Sequence, residues 1–190
     1  MRVLVVGASG LLGRAVCDAL EGRADVVRAS RSDASHPVDI SDRSSLAALL
    51  GSVGEVDGIV CVAGTGRFKP WAEVADEDWD HSLANKLRGQ VEVVRQGARV
   101  VRPRGGITLT SGLLAGAPVA GSSILTPVNA AVDAFTRAAA LELAPDVRVN
   151  CVSPGWVGDG PGEITPAEVA RAYADLAFGG TTGAVVSATA

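Results

Sequence analysis

The chain opens on a short apolar run, Val3–Val6, that passes without a break into Gly7-Ala8-Ser9-Gly10-Leu11-Leu12-Gly13. A helical pattern then covers 11–22 and stops at Gly22. No other segment constrains the fold as strongly. A strand that must hand over to a helix within a few residues needs glycine for a tight turn and for close packing of helix on strand. The same alternation continues along the chain. Strands are expected at 2–7, 25–30, 57–64, 105–111, 147–154 and 183–189, short and rich in valine and isoleucine. Most are apolar on both faces, as strands buried in a parallel sheet are.

Between the strands the pattern predicts helices over 11–22, 41–52, 76–101, 127–144 and 165–178. The last begins with Thr165 as N-cap, Pro166 at the first helical position and Glu168 two residues later, a capping-box arrangement. Strand–helix alternation of this kind predicts one α/β domain over 1–190, a Rossmann-type doubly wound parallel sheet with helices on both faces.

Composition narrows the function. The net charge is −4 and no basic run occurs, which argues against nucleic acid as a partner. No apolar run reaches the ~18–20 residues of a spanning helix, and the first residues read as a strand rather than a signal peptide, so no membrane partner and a cytoplasmic location are expected. Cys17, Cys61 and Cys151 are few, widely spaced and set in apolar stretches; they read as core residues. His36 and His81 come without cysteines or paired acids, so no metal site is expected. Trp71 and Trp79 are expected to pack helices.

A glycine loop between a strand and a helix lets main-chain N–H groups approach a pyrophosphate, held also by the partial positive charge of the helix N-terminus. Gly7, Ser9, Gly10, Leu12 and Gly13 are therefore candidate cofactor-binding positions. The second strand selects the nucleotide. An acid at its end would hold ribose hydroxyls, whereas Arg28-Ala29-Ser30-Arg31-Ser32 has no acid before Asp33. Ser30 and Arg31 can hold a 2′-phosphate, with Arg14 as a second cation, which favours NADP(H) over NAD(H).

At this point the chain resembles the short-chain dehydrogenase/reductase family over nearly its whole length. The family's glycine motif matches Gly7, Gly10 and Gly13; its adenine-contacting Asp resembles Asp39; its Asn-Ala-Gly is reduced to Val62-Ala63-Gly64. Its Arg-x-Asn-x-x-x-Pro-Gly resembles Arg148, Asn150, Pro154 and Gly155, and its closing strand resembles 182–186. The resemblance implies a nicotinamide cofactor across the carboxyl ends of the strands, touching Ala63, Gly64, Pro154, Gly155, Trp156 and Val157, and hydride transfer on a small-molecule carbonyl, alcohol or imine. It also implies catalysis by Ser, Tyr, Lys and Asn.

Here the match breaks. The family's serine falls on Ser111, but its Tyr-x-x-x-Lys falls on Leu125 and Asn129, and the one tyrosine, Tyr173, lies in the last helix. The family's Asn, three residues before Gly89, falls on Lys86, which reads as an exchange of Lys and Asn between two helices; a shift by one residue would restore Asn85. If Lys86 points inward, partial burial lowers its pKa and suits it to proton transfer with Ser111 and Asn129. Leu113, Leu114 and Trp156 are expected to form an apolar substrate wall, left open or closed by a neighbouring subunit because only residues 155–164 precede the last helix. The alanine-rich segment 130–144 suggests subunit contact, and by analogy a homodimer or homotetramer. Two rivals stay open: a non-redox isomerase, dehydratase or cyclase on the same fold, and a nucleotide-binding regulator without chemistry.

Overall fold

The computed structural model describes residues 1–32 and 35–190; Asp33 lies outside them. Six strands form one sheet: β1 (Arg2–Val6), β2 (Asp25–Ala29), β3 (Val56–Cys61), β4 (Val101–Thr110), β5 (Val147–Pro154) and β6 (Val185–Ala188). All pairings are parallel, in the order β2-β1-β3-β4-β5-β6. Strand order reverses between β1 and β3, and it is beyond the carboxyl ends at such a switch point that open α/β sheets bind ligands.

Side chains alternate across the sheet, so each strand feeds two cores. Leu4 and Val6 join one cluster with Leu46 and Leu49 of α2 (Arg43–Val53), Val93 of α4 (Gly89–Gly97) and Val132 of α5 (Leu125–Leu143). Val3 and Val5 join the other with Val16 of α1 (Leu11–Leu20) and Val169 of α6 (Pro166–Phe178). Each such side chain contributes about 1.5–3 kcal/mol when fully buried. The three cysteines are buried and free. α6 starts as expected: Thr165 Oγ1 accepts from Glu168 N at 3.3 Å, and Glu168 Oε2 accepts from Thr165 N at 3.0 Å.

The segment expected as one helix over 76–101 is more articulated. α3 (Asp76–Ser82) passes into a π-helical turn, Leu83–Arg88, then into α4, and β4 begins at Val101. Gly97 lets the end of α4 pack close on the sheet, since a Cβ there would stand 2.6 Å from Ile59 Cδ1 of β3. Trp71 also departs from expectation. It sits on a 3₁₀ turn (Trp71–Glu73) and is 74% exposed, so it packs no helix; Trp79 is half-buried. Among the described residues, no helix is long and apolar enough to cross a membrane.

The Arg-x-Asn segment of β5 works as a fastener. The Arg148 guanidinium donates to the carbonyls of Leu176 and Ala177 at the end of α6, at 3.0 and 3.3 Å. Asn150 Nδ2 donates to Thr181 O at 2.7 Å, and its Oδ1 accepts from Ala184 N at 3.1 Å, which leads the chain into β6. Tyr173 is fully buried between α6 and the sheet, its hydroxyl 2.7 Å from Thr110 Oγ1. Burial raises its pKa well beyond the usual phenol range, and it lies outside both clefts described below. Tyr173→Phe is expected to lower unfolding free energy by about 0.5–1.5 kcal/mol, the net worth of one hydrogen bond, in urea denaturation. Cofactor affinity should be unchanged.

Candidate functional site

The loop after β1 is built around two glycines that tolerate no side chain. Gly7 has φ +97°, and a Cβ there would lie 2.7 Å from Ala63 N; a Cβ on Gly13 would lie 2.0 Å from Gly7 O. The N–H groups of Gly7 and Ala8 both donate to Ala29 O, at 2.8 and 3.0 Å, which locks the turn to β2. Gly10 caps α1 without a side-chain hydrogen bond, leaving the first-turn amides to face a ligand.

In front of this loop lies a cleft of about 450 Å³. Gly7, Ser9 and Gly10 form its floor, Ser30, Arg31 and Asp39 one end, and Ala63 and Gly64 the other. Gly13 is buried behind the turn and Leu12 packs into the core with α6, so these two shape the loop without lining the cleft. At the β2 end, Ser32 Oγ donates to Ser9 Oγ at 3.1 Å, Ser30 Oγ lies 3.5 Å from Ser32 Oγ, and Arg31 is exposed. Arg14 donates to Ser9 O at 2.5 Å. The Asp39 carboxylate accepts from Ser41 N and Oγ, at 2.9 and 2.6 Å, which holds it below the usual carboxylate range.

A second cavity, of about 290 Å³, lies at the ends of β4 and β5. Ser111, Asn129, Leu125 and Lys86 line it together, as do Pro154, Gly155 and Trp156. Val157 does not; it is half-buried against the α1–α6 core and bridges to Ile164. The π turn aims neighbouring side chains differently. Asn85 Oδ1 accepts from Thr65 N at 3.1 Å on the first cleft, while Lys86 turns inward, 8% exposed, and its Nζ donates to Ser111 O at 3.1 Å. Such turns often sit at functional sites. Thr65 Oγ1 is also 3.0 Å from His81 Nε2, at the rim.

Burial lowers the Lys86 pKa, opposed by the nearby Cys151, Cys61 and Asp133. Burial likewise pushes the thiol of Cys151 up to about 11 and that of Cys61 up to about 12, so neither is a ready nucleophile. Two buried polar atoms in the cavity wall, Ser111 Oγ and Asn129 Oδ1, have no hydrogen-bond partner among the described residues. Cys151 and Ser111 are close enough for the serine to temper the thiol's upward shift, but their contact falls short of hydrogen-bond geometry. Unpaired buried polar atoms are costly, and a cavity that holds them suits a polar ligand.

Sequence reasoning missed two contributors. Gln90, fully buried, donates through Nε2 to Lys86 O and Thr110 O, at 3.0 and 2.8 Å, and accepts from Thr110 N at 2.8 Å. It thereby fixes the π turn to the end of β4; its one signal was a polar residue on the inward face of an amphipathic helix. Phe68, in the segment between β3 and α3, meets Trp156 edge-to-face with ring centroids 5.7 Å apart. Trp156, which lines the second cavity, is thus packed against a ring of the same chain. Leu113 and Leu114 line the wall as expected.

Residues 12–180 match a family model described as enoyl-(acyl carrier protein) reductase. Human L-xylulose reductase is 34% identical over 182 residues, covering 86% of this chain and 75% of that protein. A solved structure from Listeria innocua superposes with a TM-score of 0.94 at 34% identity, covering 98% of each chain. A small-chain dehydrogenase solved in complex with NADPH superposes with a TM-score of 0.89 at 28% identity, covering 98% of this chain and 95% of that one. By the family model over 12–180 and by these relatives, the chain belongs to the short-chain dehydrogenase/reductase family.

Proposed function

We propose that the protein is an NADPH-dependent reductase of a small-molecule carbonyl or imine, in which Lys86 supplies the proton that a tyrosine supplies elsewhere in the family. One observation carries this reading: the Lys86 ammonium is buried, donates to Ser111 O at 3.1 Å, and lines the cavity that also holds the unpartnered Ser111 Oγ. The NADPH bound by one structural relative, and the reductase names of others, support the reaction class.

The glycine loop fits a dinucleotide, because Gly7 and Gly13 leave backbone where side chains would collide and α1 offers free amides. Ser30 and Arg31 would hold the 2′-phosphate, Asp39 the adenine end, and Ala63 and Gly64 the segment that leads to the second cavity. When bound, the cofactor supplies a hydride to the substrate carbon. Ser111 Oγ donates a hydrogen bond to the substrate oxygen or nitrogen. Lys86 Nζ gives a proton to that atom as charge builds on it, and is reprotonated from water. Its lowered pKa brings it closer to neutrality, where a general acid works best. Asn129 stands across the cavity as a further hydrogen-bonding group.

The three buried thiols suit a reducing, cytoplasmic setting. Ala134, Ala138 and Leu141 stand exposed on α5, which supports a homodimer or homotetramer joined through that helix.

Arg31→Ala is expected to weaken NADPH binding by roughly 10–100-fold, the loss of a charge-assisted hydrogen bond. NADH binding should change little in the same fluorescence titration. Equal loss for both would refute the phosphate assignment.

Lys86→Met separates chemistry from scaffold. Turnover is expected to fall by about 10²–10⁴-fold, with NADPH affinity retained. Stability should move the other way, rising by about 1–3 kcal/mol as a buried ammonium gives way to an apolar chain of similar shape. Because burial lowers the folded-state pKa below the ordinary 10.5, the unfolded chain binds more protons between the two values. Unfolding free energy should therefore rise with pH across that window, and Lys86→Met should flatten the rise. Undiminished turnover in Lys86→Met would overturn the proton-donor role.

A further inference from the structure

We infer that the polar end of the 290 Å³ cavity pairs a carboxylate next to a carbonyl, so that the substrate is a small 2-oxo acid with an apolar tail. The chemistry rests on the reductase reading above; the pairing of the carboxylate rests on charge alone.

Lys86 is the one charged side chain among the described residues that line the cavity. It is 8% exposed, and among the described residues it makes no ion pair. Asp133 of α5 acts on it only from a distance, as do Cys61 of β3 and Cys151 of β5. An ammonium carries three donors, and the one acceptor it meets among the described residues is Ser111 O, at 3.1 Å. Two N–H groups remain for a ligand. A buried charge without a counter-ion is costly, so a ligand that brings one negative charge is favoured over its neutral analogue.

The placing of the donors sets where that charge sits. Lys86 Nζ stands on the carbonyl of Ser111, and the unpartnered hydroxyl beside it belongs to the same residue. Two donors joined at one residue meet two oxygens only when those oxygens are close together, as the carboxylate and carbonyl oxygens of a 2-oxo acid are. One N–H of Lys86 then takes the carboxylate and another the carbonyl oxygen, which Ser111 Oγ also meets. A carboxylate further along the molecule would lie against Leu113, Leu114, Val119 or Leu125, with nothing to pair it. The rest of the substrate is therefore apolar, and a cavity at the low end of small-molecule sites keeps it short. In the reduction the carbonyl carbon takes a hydride from NADPH, which leaves as NADP⁺. The carbonyl oxygen takes a proton from Lys86 Nζ, and the amine regains one from water. The product is the 2-hydroxy acid, and Asn129 Oδ1, unpartnered among the described residues, supplies an acceptor for its new hydroxyl.

The test uses calorimetric titration of the intact protein, in saturating NADPH, with 4-methylpentanoate and 4-methylpentanamide, neither of which can be reduced. NADPH oxidation is followed with 4-methyl-2-oxopentanoate, with 4-methyl-2-pentanone, in which a methyl replaces the carboxylate, and with 2-oxoglutarate, which puts a second carboxylate on the tail. The acid should bind about 10–100-fold tighter than the amide. Lys86→Met should remove that margin while amide affinity holds within about threefold, which certifies the cavity. 4-Methyl-2-oxopentanoate should show the highest kcat/KM of the three. A margin that depends on Lys86, without turnover of any ketone, would uphold the carboxylate site and sink the reductase reading. An acid that binds no tighter than the amide, a margin that survives Lys86→Met, or equal loss of both ligands in that variant would overturn the carboxylate site, as would no binding by either ligand. Preferred turnover of 4-methyl-2-pentanone or 2-oxoglutarate would also overturn it and leave the reductase standing.

Discussion

One buried ammonium organises the junction of the two clefts. Lys86 reaches the carbonyl of Ser111, and that contact exists because a π turn rotates residues 83–88 relative to the helices on either side. The turn in turn is held by Gln90, whose amide group bonds both the carbonyl of Lys86 and the main chain of Thr110. Helix, turn and strand end are thus joined by one amide and one amine. The ammonium uses a main-chain acceptor, so the hydroxyl beside it stays free for another partner.

The glycine-loop cleft relies on a different principle, the absence of side chains. Gly7 and Gly13 bring three backbone segments together where any Cβ would collide with carbonyl or amide atoms. At the β2 end of the cleft runs the short serine chain from Ser30 through Ser32 to Ser9, with Arg31 beside it. Steric necessity fixes the loop, and side-chain hydrogen bonds tie its end to β2.

Much of the architecture was legible in the sequence because it follows from periodicity. Strands apolar on both faces and a capped last helix announce a covered parallel sheet, and all six strands fall where expected, within a few residues. The glycine turn between β1 and α1 was legible because glycine spacing has a steric cause. The break in the long helix was not, since a π turn adds one residue per turn without changing composition. Gln90 was missed because its partners are main-chain atoms of a strand 20 residues away in sequence. Phe68 was missed because its segment has no repeating pattern; its place is set by contacts with Gly121 and Trp156. Trp71 misled because aromatic content suggests burial, yet a 3₁₀ turn at the margin of the molecule gives it nothing to pack against.

The fastening role of Arg148 bears on how motifs are interpreted. Its guanidinium serves the last carbonyls of α6 at the start of β5, while the second cavity is reached only at that strand's far end, around Pro154 and Gly155. Gly106 keeps the space open for it, since a Cβ there would stand 3.0 Å from its terminal nitrogen. A conspicuous charged residue within a signature can therefore serve as joinery at a distance from the reaction. Loss of activity on replacing it would reflect a loosened edge of the sheet, and would say nothing about which groups touch the substrate.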